Sequence, residues 1–293
     1  MFELQGHRGA RGLKPGNTLP SFEAALDWGV TSIEADVHLT RDGVPVVLHD
    51  PQVNSAAGSL FVNSLTLTEL QKLRIDQDPD GHGFPRQDAA ITPVAQRFAR
   101  QQQIDPYSPL SLDNLFAFVE AYARAEDKSE SQRERAARLR FDLELKRVPF
   151  HPALIGDGYT GDGPALLEQR VVEVVRAARV VHRTVVRSFD HRCVHYVRQL
   201  EPGVTGGVLM AYTTPVSVAN VVRAADAQVY CARFEFLDAM QVRQAHAEDI
   251  RVLPWTVNDP EAWARLLDWG VDGITTDYPD QLANWLRERG IAF

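Results

Sequence analysis

Within its first fifty residues the chain carries His7-Arg8-Gly9, Glu34-Ala35-Asp36 and His49-Asp50. Two imidazoles and two strand-borne carboxylates, set in a run otherwise rich in Val, Ile, Leu and Ala, are the groups of a metal-assisted hydrolase. Ionisable side chains among apolar ones are costly unless paired or bound to metal. Glu34 and Asp36 lie two residues apart on an expected strand, so both point to one face at a spacing that a single cation bridges. Glu144 repeats the pattern further on, with Asp142 and Lys146 on its face and Phe141, Leu143 and Leu145 on the other. Three such carboxylates make an all-oxygen site suited to Mg²⁺ or Ca²⁺ rather than Zn²⁺, although rim salt bridges use the same groups equally well. His7 and His49 would face each other across the ion as an acid and a base. Arg8 and Lys146 supply cations for phosphoryl oxygens, with surface ion pairs as the ordinary alternative.

Elements that position these groups follow from periodicity and punctuation. A strand over 2–6 ends at His7, and a Gly- and Pro-containing loop leads to a helix capped near Asn17 or Thr18 that stops at Gly29. Residues 31–37 read as a second strand, with Ile33, Ala35 and Val37 facing one way and Glu34, Asp36 and His38 the other. Arg41-Asp42-Gly43 signals a tight turn, after which 44–48 folds back as a hairpin and delivers His49 to the rim. Residues 51–110 break the rhythm and read as a rim insertion, with one short helix at 68–73 and a polar stretch over 76–88.

From Ser111 onward, helices at 112–125, 164–178, 191–200, 215–225, 238–246, 260–269 and 280–289 alternate with strands at 139–145, 183–188, 205–210, 228–234, 251–256 and 272–276. Eight βα units with strands too apolar for a one-sided sheet predict an α/β fold, a (β/α)₈ TIM barrel with an insertion after the second strand, over a single domain 1–293. In such a barrel chemistry sits at the C-terminal strand ends, where His7, Glu34, Asp36, Glu144, Lys146, the segment 255–258 and Asp277 all fall.

Composition narrows the partners. Lys and Arg number 31 against 39 Asp and Glu, a net charge of −8, which argues against nucleic acid and leaves room for a small anionic substrate at a local positive site. The basic stretch 133–140 alternates with Glu134 and alanines and reads as a solvated helix face. Cys193 and Cys231 are too few for a disulfide framework and are expected as buried thiols. No apolar run reaches the roughly 18 residues of a membrane span, and the N-terminus has no apolar signal core, so no stable membrane insertion and a cytoplasmic location are expected.

The segments HRGARGLKPGNTLPSFEAAL, SIEADVHLTRDGVPVVLHD, FDLELK, PWTVND and GVDGITTDYPD, in this order along nearly the whole chain, closely resemble the glycerophosphodiester phosphodiesterase family. The resemblance implies a (β/α)₈ barrel, a divalent cation, and hydrolysis of a small-molecule glycerophosphodiester to glycerol 3-phosphate and an alcohol. It assigns His7 and His49 as the acid/base pair, Glu34, Asp36 and Glu144 as metal ligands, Arg8 and Lys146 as phosphate contacts, and Trp255 as the lining of a glycerol pocket. Broad use of head groups is expected, since these motifs address glycerol, phosphate and metal. Asp277 is expected to start the last helix, and His38 and His191 to be rim and helix-start residues. One departure stands out: the family usually reads Pro-Glu-Asn-Thr where this chain has Pro15-Gly16-Asn17-Thr18. Asp157 or Asp162 could replace the missing acid.

Two other readings accompany this one. A phospholipase-D-like lipid phosphodiesterase would show an exposed apolar ridge on residues 51–110. A non-catalytic glycerophosphodiester-binding barrel is made thinkable by Gly16, against the retention of every other site residue.

Overall fold

The structure is a computed structural model and describes residues 1–55, 58–75, 83–212 and 217–293. Eight strands run in chain order as β1 (Glu3–Gly6), β2 (Ser32–Leu39), β3 (Arg140–Leu145), β4 (Thr184–Ser188), β5 (Thr205–Met210), β6 (Val229–Ala232), β7 (Arg251–Val252) and β8 (Gly273–Thr276). Each is parallel to the strand before it up to β7, and β8 pairs with β1, Leu4 standing opposite Ile274. Three backbone bonds close the remaining seam: Asp272 N–H to Val252 O (3.0 Å), Thr275 N–H to Pro254 O (3.0 Å) and Val257 N–H to Thr275 O (2.9 Å). The result is a TIM barrel. β7 is shorter than the expected 251–256 because Pro254 has no N–H to give to a ladder. Extended chain nevertheless continues past it, with Trp255 N–H bonding Ala232 O at 3.0 Å.

Local signals place the helices. Thr18 caps Leu19–Trp28 by accepting from Ser21 N–H, and Gly29 ends it in the left-handed region at φ 79°. His191–Leu200 and Pro260–Trp269 fall where expected, and the helix expected from 215 is described from Val218 to Ala224, its first two expected residues lying outside the described ones. Among the described residues no helix is long and apolar enough to cross a membrane, and Cys193 and Cys231 are buried free thiols.

Residues 51–110 divide into two parts. The first holds a hairpin, Gln52–Ser55 with Gly58–Phe61, and the single-turn helix Leu67–Leu70, gathered over a small core of Val46, Leu48, Val53, Val62 and Leu70. Residues 76–82 of the expected polar stretch lie outside the described ones. The second part holds a helix absent from the sequence reading, Pro93–Gln102, whose Val94, Ala95, Phe98 and Ala99 join the main core of the barrel rather than its rim. Its N-terminus is capped from a distant helix, since Glu23 accepts from Val94 N–H (3.2 Å) and Ala95 N–H (2.7 Å). The basic stretch 133–140 is only in part a helix face: the helix Glu130–Ala137 ends before Arg140, which opens β3 and donates to Glu3 at 3.1 Å.

Register decides what lies under the site. β2 and β3 align Glu34 with Asp142 and Asp36 with Glu144, so acidic groups stack in two layers inside the barrel. The lower layer is closed by polar partners: Gln5 Nε2 donates to Asp142 at 2.7 Å, and Arg187 Nη1 donates to Gln5 Oε1 at 3.2 Å.

Candidate active site

The chain leaves β1 through two residues of positive φ, Arg8 (51°) and Gly9 (86°). At Gly9 a Cβ would stand 2.6 Å from the Ser21 hydroxyl, so only glycine lets the loop close against the first helix. The turn aims Arg8 N–H at Glu34 Oε2 (2.9 Å) and sends the His7 ring over the mouth of the barrel. His7 Nδ1 lies 2.6 Å from Asp277 Oδ1, and Asp277 Oδ2 accepts from Asn258 Nδ2 at 2.7 Å. A carboxylate only accepts, so Nδ1 carries the hydrogen and Nε2, 3.9 Å from Glu34 Oε2, presents its lone pair to the site. Burial, together with the charges of Arg8 and Arg11, lowers the pKa of His7 against the opposing pull of Asp277, leaving it below the ordinary 6.5. Asp277 therefore serves His7, a correction to its expected helix-starting role: the cap of Pro279–Glu288 is Tyr278, with no side-chain bond.

His49 follows the strand Pro45–Val47, which folds back antiparallel on β2 with Val47 opposite Val37, as the turn at 41–43 predicts. Its Nδ1 donates to Asp50 at 2.7 Å. His38 is not a rim residue but is 2% exposed, and its Nε2 donates to the His49 carbonyl at 3.0 Å. Burial holds its pKa down at about 4, so it is a neutral donor that fixes the His49 backbone.

Glu34, Asp36 and Glu144 come together at the ends of β2 and β3, offering oxygens all within 4.8 Å of one another. Lys146 Nζ bridges two of them, 2.6 Å from Glu144 Oε1 and 3.2 Å from Asp36 Oδ1. Arg8 Nε is 3.1 Å from Asp36 Oδ2, which also accepts from Asn17 Nδ2 at 2.8 Å. Burial pushes Asp36 upward, but Lys146 and Arg8 outweigh it and hold this carboxylate well below its usual range. Glu34 goes the other way. Burial and the charge of Asp36 raise it to about 8, against the buried Arg187 guanidinium 3.4 Å from Oε1. Glu34 Oε1 accepts no hydrogen bond from the described residues. A buried oxygen without a donor, beside two further carboxylates and with no sulfur in the trio, fits a hard divalent cation.

Two cavities meet here. One, of about 430 Å³, is lined by His7, Glu144, Lys146, Arg187, Phe189 and Trp255 among others, and the second, of about 680 Å³, by Gly16, Asn17, Asp50, the hairpin residues Gln52, Val53, Asn54 and Ser59, Arg74 and Gln87 among others. Arg8, Arg11 and His49 line both. Trp255 is held by its Nε1–H to Cys231 O (2.8 Å) and by an edge contact with Phe189 at 5.8 Å. All eight sequence-assigned residues, His7, Arg8, Glu34, Asp36, His49, Glu144, Lys146 and Trp255, thus converge on one strand-end region.

Residues given no role in the site from the sequence are Arg187, Asn17 and His38, and Asn258 was placed only within the strand-end segment 255–258. Arg187 left a signal, a lone cation in the apolar strand Thr184–Ser188. Asn17 was taken only as a cap, whereas at φ 60° it turns its amide inward to Asp36. Neither proposed substitute for an acid at position 16 reaches the carboxylate trio. Asp157 pairs with Arg147 at 3.1 and 2.5 Å, and Asp162 is exposed. At Gly16 a Cβ would lie 3.0 Å from Arg8 Cβ and 3.2 Å from Arg11 Cγ, so the glycine lets these two arginine stems close in. His191, at its helix start, donates or accepts nothing in the site; its Nε2 meets Leu209 O at 2.9 Å.

A model of the glycerophosphoryl diester phosphodiesterase family matches residues 7–141 and 162–281. A putative glycerophosphodiester phosphodiesterase of Bacillus subtilis is 28% identical over 277 residues, covering 94% of this chain and 93% of its own length. A glycerophosphodiester phosphodiesterase of Caldanaerobacter subterraneus is 25% identical over 97% of both chains. The crystal structure of a putative family member from Silicibacter pomeroyi superposes with a TM-score of 0.80 at 29% identity, covering 100% of this chain and 95% of that one. A phosphodiesterase of Oleispira antarctica, solved in complex with the product sn-glycerol-3-phosphate, shares the fold at a TM-score of 0.71 and 20% identity over 97% and 96% of the two chains. With the strand-end cluster of histidines and carboxylates and a family match over most of its length, the chain belongs to the glycerophosphoryl diester phosphodiesterase family.

Proposed function

We propose that this chain, acting as one unit over residues 1–293, hydrolyses glycerophosphodiesters to glycerol 3-phosphate and an alcohol, with His7 as general base and His49 as general acid. The observation that carries the assignment is the placement of the histidines: His7 lines only the cavity beside Trp255, whereas His49 lines both. A glycerol moiety resting against Trp255 and Phe189 puts its 2-hydroxyl, or an attacking water, beside His7 Nε2. The leaving oxygen then lies toward the larger cavity, next to His49.

Glu34, Asp36 and Glu144 would hold a divalent cation, Mg²⁺ or Ca²⁺. Bound there, it would supply Lewis-acid polarisation of the phosphoryl oxygens. Asp277 keeps His7 in the tautomer that leaves Nε2 unprotonated, and the lowered His7 pKa keeps it a base near neutral pH. Asp50 orients the His49 ring through Nδ1, and His38 fixes its backbone. Arg8 and Lys146, now shared among the carboxylates, are placed to meet the phosphoryl oxygens.

The lipid-hydrolase reading lacks its ridge among the described residues. Among the described residues of 51–110, the large apolar side chains with marked exposure are Phe61 and Ile91, at 45% and 44%, and neither lines the larger cavity. The test is release of glycerol 3-phosphate from glycerophosphodiesters after chelation and after return of Mg²⁺ or Ca²⁺. Turnover that returns with either ion supports the proposal, and turnover indifferent to chelation overturns the cation's part in it. Calorimetry showing that glycerophosphocholine binds without product would favour the non-catalytic barrel.

A further inference from the structure

Asn258 lies just past β7, where Val257 N–H bonds Thr275 O at 2.9 Å and lays this segment along the end of β8. Its Oδ1 accepts from Asp277 N–H at 2.9 Å and from the Thr276 hydroxyl at 3.0 Å, and its Nδ2 donates to Asp277 Oδ2 at 2.7 Å. A backbone N–H can only donate, so the amide oxygen must face it and the NH₂ is forced toward the carboxylate. Resting on the reading of His7 as the base, we infer that Asn258 is a positioning residue: it decides which atom of residue 277 faces His7, and hence which His7 nitrogen is left to take a proton.

The donors run one way along the row. Asn258 occupies Asp277 Oδ2, which leaves Oδ1 to meet His7 Nδ1 at 2.6 Å. Burial raises the pKa of Asp277, but His7, Asn258 and Arg11 outweigh it and keep this group an ionised acceptor. The two bonds to Asn258 Oδ1 join the ends of β7 and β8, and a carboxylate at 258 would accept both equally well. Only the bond from Nδ2 bears on the imidazole. An amide at 277 exposes that control. In Asp277→Asn, the new oxygen must turn to the Asn258 NH₂ and the new NH₂ to His7, which moves the His7 hydrogen to Nε2. In Asn258→Asp/Asp277→Asn, residue 258 only accepts, so the NH₂ of residue 277 turns to it and the oxygen to His7, which returns the hydrogen to Nδ1. One and the same side chain at 277 thus imposes opposite tautomers according to its neighbour.

The experiment compares the unaltered chain, Asp277→Asn, Asn258→Asp and Asn258→Asp/Asp277→Asn by nitrogen-15 spectra of the histidine rings and by glycerol 3-phosphate release with Mg²⁺ or Ca²⁺. Spectra are taken without substrate at about pH 8, where His7 is neutral, and its signals are those lost in His7→Ala. The hydrogen is expected on Nδ1 in the unaltered chain, on Nε2 in Asp277→Asn, and again on Nδ1 in the double variant. The double variant should turn over about 10-fold faster than Asp277→Asn, with KM within about twofold. Asn258→Asp alone keeps the bonds that join the strand ends but sets two carboxylates against each other. It should lose the uniform Nδ1 form and about 10-fold in kcat, with KM within about twofold, and it decides the matter if the double variant fails to fold. A double variant with the tautomer and kcat of Asp277→Asn, or an Asn258→Asp with the spectrum and kcat of the unaltered chain, makes Asn258 a mere tie between strands and overturns the inference while leaving the hydrolase standing. Failure of the unaltered chain to release glycerol 3-phosphate with either ion overturns the proposed hydrolysis, and this inference with it.

Discussion

Two clusters of buried ions lie within a few residues of each other around the end of β3, and they are built to opposite ends. In the first, Arg147 meets Glu168 through Nε and Nη2 and Asp157 through Nη1 and Nη2, with Ala165 N–H and Leu167 N–H completing the carboxylates. All four carboxylate oxygens have a donor, the three side chains are at most 2% exposed, and Tyr159 covers the guanidinium at 3.9 Å. In the second, Glu34, Asp36 and Glu144 face a cavity, share Lys146 and Arg8 between them, and leave Glu34 Oε1 without a hydrogen bond from the described residues. A closed network fixes the chain, whereas an open one keeps capacity for something that arrives. Charge and burial alone do not separate them; satisfaction does.

That contrast can be broken by experiment, and the largest effects belong to the open cluster. His7→Ala or His49→Ala should each lower kcat by about 10³-fold with an unchanged circular dichroism spectrum. Near-normal turnover in both would remove the acid/base assignment. Asp277→Asn should cost about 10²-fold, because the amide no longer fixes the His7 tautomer. Since Asp277 raises the His7 pKa, its loss should also move the acidic limb of the kcat/KM profile to lower pH, and a limb that stays put would assign Asp277 a merely structural role.

Cation binding should be linked to protons. Without an ion the Glu34 pKa is raised to about 8 from 4.5, so near pH 7 the carboxyl is largely protonated and a cation must displace that proton. Affinity should therefore rise with pH up to about 8, and titration calorimetry in buffers of different ionisation heat should show about one proton released per ion at pH 7. The sign for stability follows the same way. A carboxyl whose folded pKa exceeds its unfolded value favours the fold below about 4.5 to 8 and loses that contribution as pH rises through this window, so the metal-free protein should lose part of its stability from pH 5 to pH 8 and recover it when the ion is added.

Smaller effects on turnover are expected further out. Trp255→Phe keeps a ring against Phe189 but removes the bond to Cys231 O, and should raise KM by about fivefold with little change in kcat. The smallest effect on turnover should come from the closed cluster. Arg147→Met leaves Asp157 and Glu168 without their buried partner and should cost about 3–5 kcal/mol of stability, read by denaturant unfolding, while kcat/KM in the folded enzyme stays within about twofold. Loss of activity ahead of unfolding would mean that the two clusters are coupled.

Much of this architecture was legible in the chain because its signals are local. The period-two alternation of residues 31–37 told which face Glu34 and Asp36 share, Arg41-Asp42-Gly43 announced the hairpin that carries His49, and Gly29 marked a helix end. The helix Pro93–Gln102 left a weaker trace, since its low apolar content and its cap, supplied by Glu23 seventy residues away, have no local signature. Residues 51–110 therefore read as rim throughout, although Val94, Ala95, Phe98, Ala99 and Leu110 belong to the main core.

What the sequence determined by itself is the inventory of the site and the strand ends that carry it, because side-chain type and strand parity are properties of neighbours in the chain. What only the tertiary structure decided is which charges satisfy one another. Asp157 stood as a replacement for the acid missing at position 16, and Asp277 looked like a helix start, until the barrel brought Arg147 to the first and His7 to the second. Pairing is set by distances across strands far apart in sequence, and a carboxylate's role follows from its partners: a guanidinium leaves it closed, an imidazole makes it an orienting group, and two further carboxylates make it a place for a cation.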